Sequence, residues 1–385
     1  MNILLKNNIA AVGLARLPES YSTGTDVSDP DGILVRSADL KSMAFGPSLK
    51  AIARAGAGVN NIPVSACTDA GIVIFNTPGA NANGVKELVL CALILSSRGI
   101  LQGSRWLEDY RPEDGPLPEA VEQGKKRFSG TEIKGKTLGV IGLGAIGGMV
   151  ANDAVHLGMD VTGYDPFLSV DGAWNLSRHI RHAGSIEEVC ASADYLTLHV
   201  PSTDDTRHMI CADLIGKMKD GIRILNFARG DLVDDGDLAE ALKSGKVASY
   251  VTDFPSERLL RLPGVLSIPH LGASTDASED NCAVMAADEL TDYLENGNIR
   301  NSVNYPSVHM PRSGDTRICI LNDNIPDVIS GVTSVLSSNG VNIENLTNKS
   351  RASVAYTVVD ISGGLPSDAE DQLKRIRGVR RVRVI

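Results

Sequence analysis

Long apolar runs are missing from this sequence. The densest, Leu88–Leu95, is about eight residues, far short of the roughly 20 that a membrane-spanning helix needs. The opening MNILLKNNIAAVGLARLPES has no charged segment followed by an apolar stretch and a cleavage site, so a secretory leader is not expected. The expectation is a soluble, cytoplasmic protein. Cysteine is scarce and scattered. Cys67, Cys91, Cys190, Cys211, Cys282 and Cys319 form no CxxC and no Cys/His pair at zinc-finger spacing, which predicts reduced, mostly buried thiols and no metal site. Positive charge is in deficit, with 37 Lys and Arg against 47 Asp and Glu and a net charge of −10. That balance opposes general attraction to nucleic acid or anionic lipid, although one or two local arginines can still hold an anionic small molecule.

What is present is the composition of a folded protein: 385 residues, 43% hydrophobic and 22% charged, enough for two or three domains at roughly 150 residues each. Short β-rich runs alternate with helical patterns, as in GILVRS, GIVIFNT, KTLGVIGLG, DVTGYDP, YLTLHVP, IRILNFARG and ASYVTDF. Strands spaced by helices predict parallel sheets of βαβ units. Two series are visible, separated by a polar stretch from Glu108 to Lys126 containing Pro and Gly. The helical pattern Glu279–Glu295 ends at Asn296-Gly297, a C-cap signal, and is expected to return to the first domain. NYPSVHMPRSG (304–314) reads as a linker. The remainder reads strand, helix, strand, strand, helix, strand, the order of a ferredoxin-like plait. The expected domains are 1–95 with 284–304, 96–283, and 315–385. Lys374, Arg375, Arg377, Arg380, Arg381 and Arg383 are expected to lie on a solvated helix end and edge strand, where positive charge discourages aggregation.

Gly142, Gly144 and Gly147 form GxGxxG directly after the strand KTLGVI and before a predicted helix, and a second predicted strand ends in Asp165. In that setting the glycines let the backbone approach a pyrophosphate, the helix N-terminus favours its charge, and the carboxylate holds a ribose diol. Asp165 would repel a 2′-phosphate and no arginine follows it closely, so NAD is favoured over NADP. His270 in SIPHLGAST, Arg229 in NFARGDLVD and Glu257 in TDFPSE each follow a predicted strand, which places them at the sheet edge where ligands bind in open α/β folds. Hydride transfer from a hydroxyl-bearing carbon needs a proton acceptor, a cation at the developing oxyanion and the substrate carboxylate, and a carboxylate behind the imidazole.

The motifs RAGAGVNNI, GIVIFNTPGANA, VIGLGAIG, LHVPST, NFARGDLVD and SIPHLGAST, with the C-terminal plait, make the chain resemble the D-2-hydroxyacid dehydrogenases, specifically phosphoglycerate dehydrogenases carrying a C-terminal ACT domain. The resemblance implies an α/β fold of two Rossmann- or flavodoxin-like doubly wound domains plus the ferredoxin-like module. It implies NAD as cofactor, held by Gly142, Gly144, Ala145, Ile146, Gly147, Asp165, His199, Val200 and Pro201, with Phe227, Ala228, Arg229, Asp253, His270, Gly272 and Ala273 near its nicotinamide half. It further implies that Arg229 binds the substrate carboxylate, His270 is the acid/base and Glu257 its partner. The family's turn between Asp253 and that glutamate is usually one residue longer. Arg36, Ser37 and Asn81 resemble substrate-side positions, with Glu279 where some relatives have a neutral amide. Asn322, Asn324 and Asn342 resemble an effector site for L-serine, although Asn322 stands for a histidine of regulated relatives and Asp327 for a glycine. The implied reaction is oxidation of 3-phosphoglycerate with NAD in a homodimer or homotetramer. The alternatives are an unphosphorylated 2-hydroxyacid (hydroxypyruvate or glyoxylate) and an NAD-sensing corepressor-like binding protein.

Overall fold

The computed structural model describes residues 1–385, the side chain of residue 114 excepted. Its strands fall into three sheets. The first contains β1 (Asn2–Lys6), β2 (Ser22–Gly24), β3 (Gly32–Val35), β4 (Ala51–Arg54) and β5 (Val73–Phe75), all parallel in the order β2-β1-β3-β4-β5. The second contains β6 (Thr137–Ile141), β7 (Asp160–Tyr164), β8 (Ile180–His182), β9 (Tyr195–Leu198), β10 (Ile222–Asn226), β11 (Val247–Thr252) and β12 (Val265–Ser267), again parallel, in the order β12-β11-β10-β9-β6-β7-β8. Both are doubly wound, with strand order reversing beside β1 and beside β6, where such sheets open a ligand crevice. The third holds β13 (Thr316–Asp323), β14 (Ile343–Arg351), β15 (Val354–Ile361) and β16 (Val379–Val384), antiparallel in the order β14-β15-β13-β16 with helices Val328–Ser338 and Ser367–Lys374. This is the expected plait. No helix among the described residues is long and apolar enough to cross a membrane.

The chain divides into two compact units, residues 1–81 with 276–385, and residues 82–275. The boundary expected at residue 95 therefore falls inside a helix, Ala82–Ser97, whose Val85, Val89, Ala92 and Leu93 pack with the strands of the second sheet. The polar stretch expected between the two series is helical over Ile100–Glu108 and Leu117–Gly124. The C-terminal module belongs to the first unit. One face of its sheet (Ile318, Ile320, Val359, Ile361) covers its own helices, and the other (Cys319, Leu321, Tyr356, Val358) joins the core formed by Phe75, Tyr293 and Tyr305.

That second face corrects the reading of the basic C-terminus. Lys374, Arg375 and Arg377 are exposed, but Arg380, Arg381 and Arg383 are turned into the first unit. Arg383 lies over the Tyr293 ring, 4.5 Å from its centroid, and donates to the carbonyls of Tyr293 and Leu294. Arg381 donates to the Leu49 carbonyl, and Arg380 to the Thr68 carbonyl and Asp69. The edge-strand argument fails because this strand's inward-facing cations meet carbonyls at helix and turn ends, which attract positive charge.

The long helix Asp276–Asn296 is the element the module grips. It ends at Gly297, whose φ of 69° suits glycine and where a Cβ would lie 2.3 Å from the Cys319 sulfur. Tyr356 Oη donates to the Gly297 carbonyl at 2.6 Å, and Arg317 Nη1 to that of Asn296 at 2.8 Å. Arg317 and Asp360 are 1% and 0% exposed and form a two-pronged ion pair at 2.7 and 2.8 Å. Leaving one partner of such a pair uncompensated in the interior is costly. Arg317→Ala is expected to lower unfolding free energy by about 3–5 kcal/mol, with Arg317→Met/Asp360→Leu recovering part of it in chemical denaturation.

Glu289 is buried on the inner face of the same helix. One carboxylate oxygen accepts from Asn301 at 2.6 Å, the other has no partner, and burial pushes the carboxyl up to about 7. A carboxyl raised above its ordinary 4.5 favours the folded state fully below that value and loses this contribution as pH rises through 7. Stability is thus expected to fall between about pH 5 and about pH 8, by about 3 kcal/mol from this group. Glu289→Gln should flatten that slope in denaturant melts at the two pH values.

Candidate active site

The glycine loop follows β6. Gly142 has φ 89°, and a Cβ there would lie 2.6 Å from the His199 carbonyl oxygen; one on Gly147 would lie 1.9 Å from the Gly142 oxygen. These two glycines close the turn. Gly144 differs, since a Cβ there meets no protein atom within 4 Å, so its open face is room for something other than protein. Helix Ala145–His156 starts at this point with no side-chain cap on its first amides, which leaves donors and a positive dipole end for a pyrophosphate. Ala145 is exposed and Ile146 half-buried in its first turn. Asp165 binds the loop: its Oδ2 accepts from the Leu143 amide and its Oδ1 from the Phe167 amide, both at 2.9 Å. His199, Val200 and Pro201 follow β9 on the other side of the loop. The His199 ring meets Thr197 Oγ1 at 2.9 Å, and burial pushes its imidazole down to about 3, so it is neutral. The residues present fit a dinucleotide.

Asn226, the last residue of β10, was not among the residues singled out from the sequence. It is buried; its Nδ2 donates to the Arg229 carbonyl (2.9 Å) and Tyr250 Oη (3.2 Å), and its Oδ1 accepts from the Ala228 amide (3.2 Å). These bonds shape the Phe227–Arg229 turn, burying Phe227 and presenting Arg229 to solvent. The only cue to this role is an amide side chain ending an apolar strand. Asp253, one residue past β11, is 1% exposed; its Oδ2 accepts from the Gly272 amide at 3.0 Å and its Oδ1 is buried without a partner. His270, exposed beyond β12, lies with its ring centroid 4.6 Å from that of Phe254. Burial raises the Asp253 carboxyl above the usual carboxylate range, opposed by the Gly272 amide and the charges of His270 and Arg229. The charges of both groups thus act on one buried carboxylate. A cleft of about 750 Å³ is lined here by Gly230, Asp253, Phe254, Arg258 and His270.

Glu257 is not brought to His270. It is exposed, and no hydrogen bond or ion pair joins the two among the described residues. The Ser256 carbonyl accepts from the Leu259 and Leu260 amides, a helical turn that buries Leu259 and leaves Glu257 outside.

In the other unit, Arg36 and Ser37 follow β3 at the carboxyl edge. Asn7 Oδ1 accepts from the Ser37 amide at 3.0 Å and from that of Ala38, and Arg36 pairs with Glu279 in the first turn of the long helix. Asn81 is half-buried after β5. The three asparagines of the effector expectation are not gathered in this chain. Asn322 is buried at the β13–β15 end that pairs with Ala355, donating to the Asp323 carbonyl and accepting from Thr357, and Asn324 lies beside Ala352. Asn342 sits at the opposite end, bonded to Glu344. Asp327 adopts φ 72°, the left-handed conformation that explains a glycine at this position in relatives.

Residues 91–272 match the family model described as D-isomer specific 2-hydroxyacid dehydrogenase, NAD binding domain. The chain is 31% identical over 354 residues to the D-3-phosphoglycerate dehydrogenase of Haemophilus influenzae, covering 88% of this chain and 82% of that one. It is 33% identical over 358 residues to the protein so named from Methanocaldococcus jannaschii, covering 91% of this chain and 63% of that one. The chain spans about half to two thirds of the length of several such curated relatives. The NAD+-bound 3-phosphoglycerate dehydrogenase of Entamoeba histolytica superposes with a TM-score of 0.60 at 27% identity, over 79% of this chain and 98% of that one.

Gly144→Val tests the cofactor loop. With open space above the residue, the variant is expected to keep the wild-type melting temperature yet weaken NADH binding by about tenfold or more, read by fluorescence titration. The glycine loop, Asp165, and the Arg229, Asp253 and His270 set stand together in one unit, and the relationship to the Haemophilus protein runs through most of both chains: this chain belongs to the D-isomer-specific 2-hydroxyacid dehydrogenase family.

Proposed function

We propose that the protein oxidises 3-phospho-D-glycerate to 3-phosphohydroxypyruvate, the entry step of serine synthesis. NAD, when bound at the glycine loop, supplies the hydride acceptor. His270 takes the proton of the substrate's C2 hydroxyl, and Arg229 binds the carboxylate and the developing carbonyl oxygen. The observation that carries this reading is that Arg229, Asp253 and His270 follow the ends of the neighbouring parallel strands β10, β11 and β12, with Asp253 buried and accepting from the Gly272 amide. The negative charge of Asp253 favours the protonated imidazole formed in the forward reaction, the role that the sequence assigned to Glu257. Arg36, at the carboxyl edge of the five-stranded sheet, is a substrate-binding cation suited to an anionic group. The names of the relatives support the phosphorylated substrate, and the C-terminal plait supports an ACT-type module with L-serine as its effector.

A second reading, an unphosphorylated acid such as hydroxypyruvate or glyoxylate, is favoured by one observation: Arg36 already carries a counter-charge, Glu279. NADH formation with 3-phospho-D-glycerate, D-glycerate, D-lactate and glycolate, each with and without L-serine, separates the two. Preference for the phosphorylated acid is expected, together with a ~10²–10⁴-fold loss of turnover in His270→Ala at saturating substrate. Turnover that barely changes would remove His270 from the mechanism, and oxidation of only an unphosphorylated acid would overturn the assigned substrate.

A further inference from the structure

The Arg36–Glu279 pair joins the end of β3 to the first turn of the long helix, Nη2 to Oε1 at 2.5 Å, with both side chains about two fifths exposed. At that exposure an ion pair adds little to stability, so holding the fold does not account for it. Its surroundings are those of a ligand crevice. It sits at the carboxyl edge of the five-stranded sheet, next to the reversal of strand order between β1 and β3. Asn7, after β1, pins the backbone that follows Arg36. Arg54 ends the neighbouring strand in register with Val35, and its Nε donates to the Arg36 carbonyl at 3.1 Å. Cys282, one helical turn beyond Glu279, is buried, and the charges of Arg54, Arg36 and Glu279 all act on its thiol. Two guanidinium groups and one carboxylate therefore make up a single electrostatic cluster. Removing the charge of Glu279 makes this cluster more positive by one unit.

We propose that Glu279 is a specificity-determining residue: it occupies Arg36 as a counter-charge, so a substrate's anionic end must displace it, and the crevice thereby discriminates less strongly in favour of a phosphoryl dianion over a neutral hydroxymethyl group. This rests on the proposed assignment of Arg36 to substrate binding. The discrimination works through charge, because a dianion gains more than a neutral group when the local potential rises. Nothing else in the cluster need move.

The test is a double-mutant cycle on the full chain. Glu279→Gln, which keeps shape and hydrogen-bonding capacity without the charge, is expected to raise the ratio of kcat/KM for 3-phospho-D-glycerate over D-glycerate by about tenfold, mainly through a lower KM for the phosphorylated acid. Glu279→Ser should act in the same direction. In an Arg36→Gln background the effect of Glu279→Gln should vanish. A ratio unchanged within twofold, a higher KM for the phosphorylated acid, or an equal effect without Arg36 would each overturn the proposal. Inorganic sulfate, tested as a competitive inhibitor against whichever acid is oxidised, should bind more tightly to Glu279→Gln than to wild type. If wild type oxidises no phosphorylated acid, the activity reading falls, and the counter-charge proposal is then decided by sulfate alone, with equal inhibition refuting it.

Discussion

The carbonyl end of one helix organises the first unit. Helix Asp276–Asn296 would otherwise finish with unsatisfied carbonyls in an apolar setting, and residues of the C-terminal module supply the donors: Arg383 to Tyr293 and Leu294, Arg317 to Asn296, Tyr356 to Gly297. Asp360 holds Arg317 in place and also accepts from the Ser313 amide and hydroxyl in the linker. Such a set costs several kcal/mol if any one partner is removed, because each buried polar group then lacks its bond. The module is therefore an integral part of the first unit, with its sheet face committed to this chain's own core.

This arrangement gives the long helix two ends with different duties. Its C-terminus is fixed by the module, and its N-terminal turn presents Glu279 to Arg36. A rod of 21 residues, about 30 Å at helical rise, links the plait to the crevice of the five-stranded sheet.

The cofactor unit shows how few residues a reaction site requires when strand ends converge. Asn226, Asp253 and His270 stand at the ends of neighbouring parallel strands, and buried bonds to Asn226 and Asp253 fix the turns carrying Arg229 and Gly272. Arg229 and His270 are exposed, while Asn226 and Asp253, whose hydrogen bonds fix the neighbouring turns, are buried. This division leaves Arg229 and His270 accessible on turns held from within.

Both doubly wound sheets, the plait, the glycine loop and the Asn296-Gly297 helix stop were legible in the sequence, because each is written locally: strand and helix periodicity, glycine where φ is positive, a carboxylate ending a strand. The exposed placement of Glu257 was not, since only the folded turn at Ser256 shows where its side chain goes. The basic C-terminus was misread for a similar reason. A cue existed in the continuous apolar runs RICIL and VAYTVV, which indicate a sheet covered on both faces, but charge pattern alone cannot distinguish a solvated arginine from one capping a distant helix. The sequence by itself determined the elements and the glycine loop, and placed Arg229 and His270 just beyond strand ends. Tertiary structure alone decided that Asp253 accepts from the Gly272 amide, that Glu279 meets Arg36 and that the plait is fused to the first unit, because those contacts join residues tens to hundreds of positions apart and are set by packing rather than by local pattern.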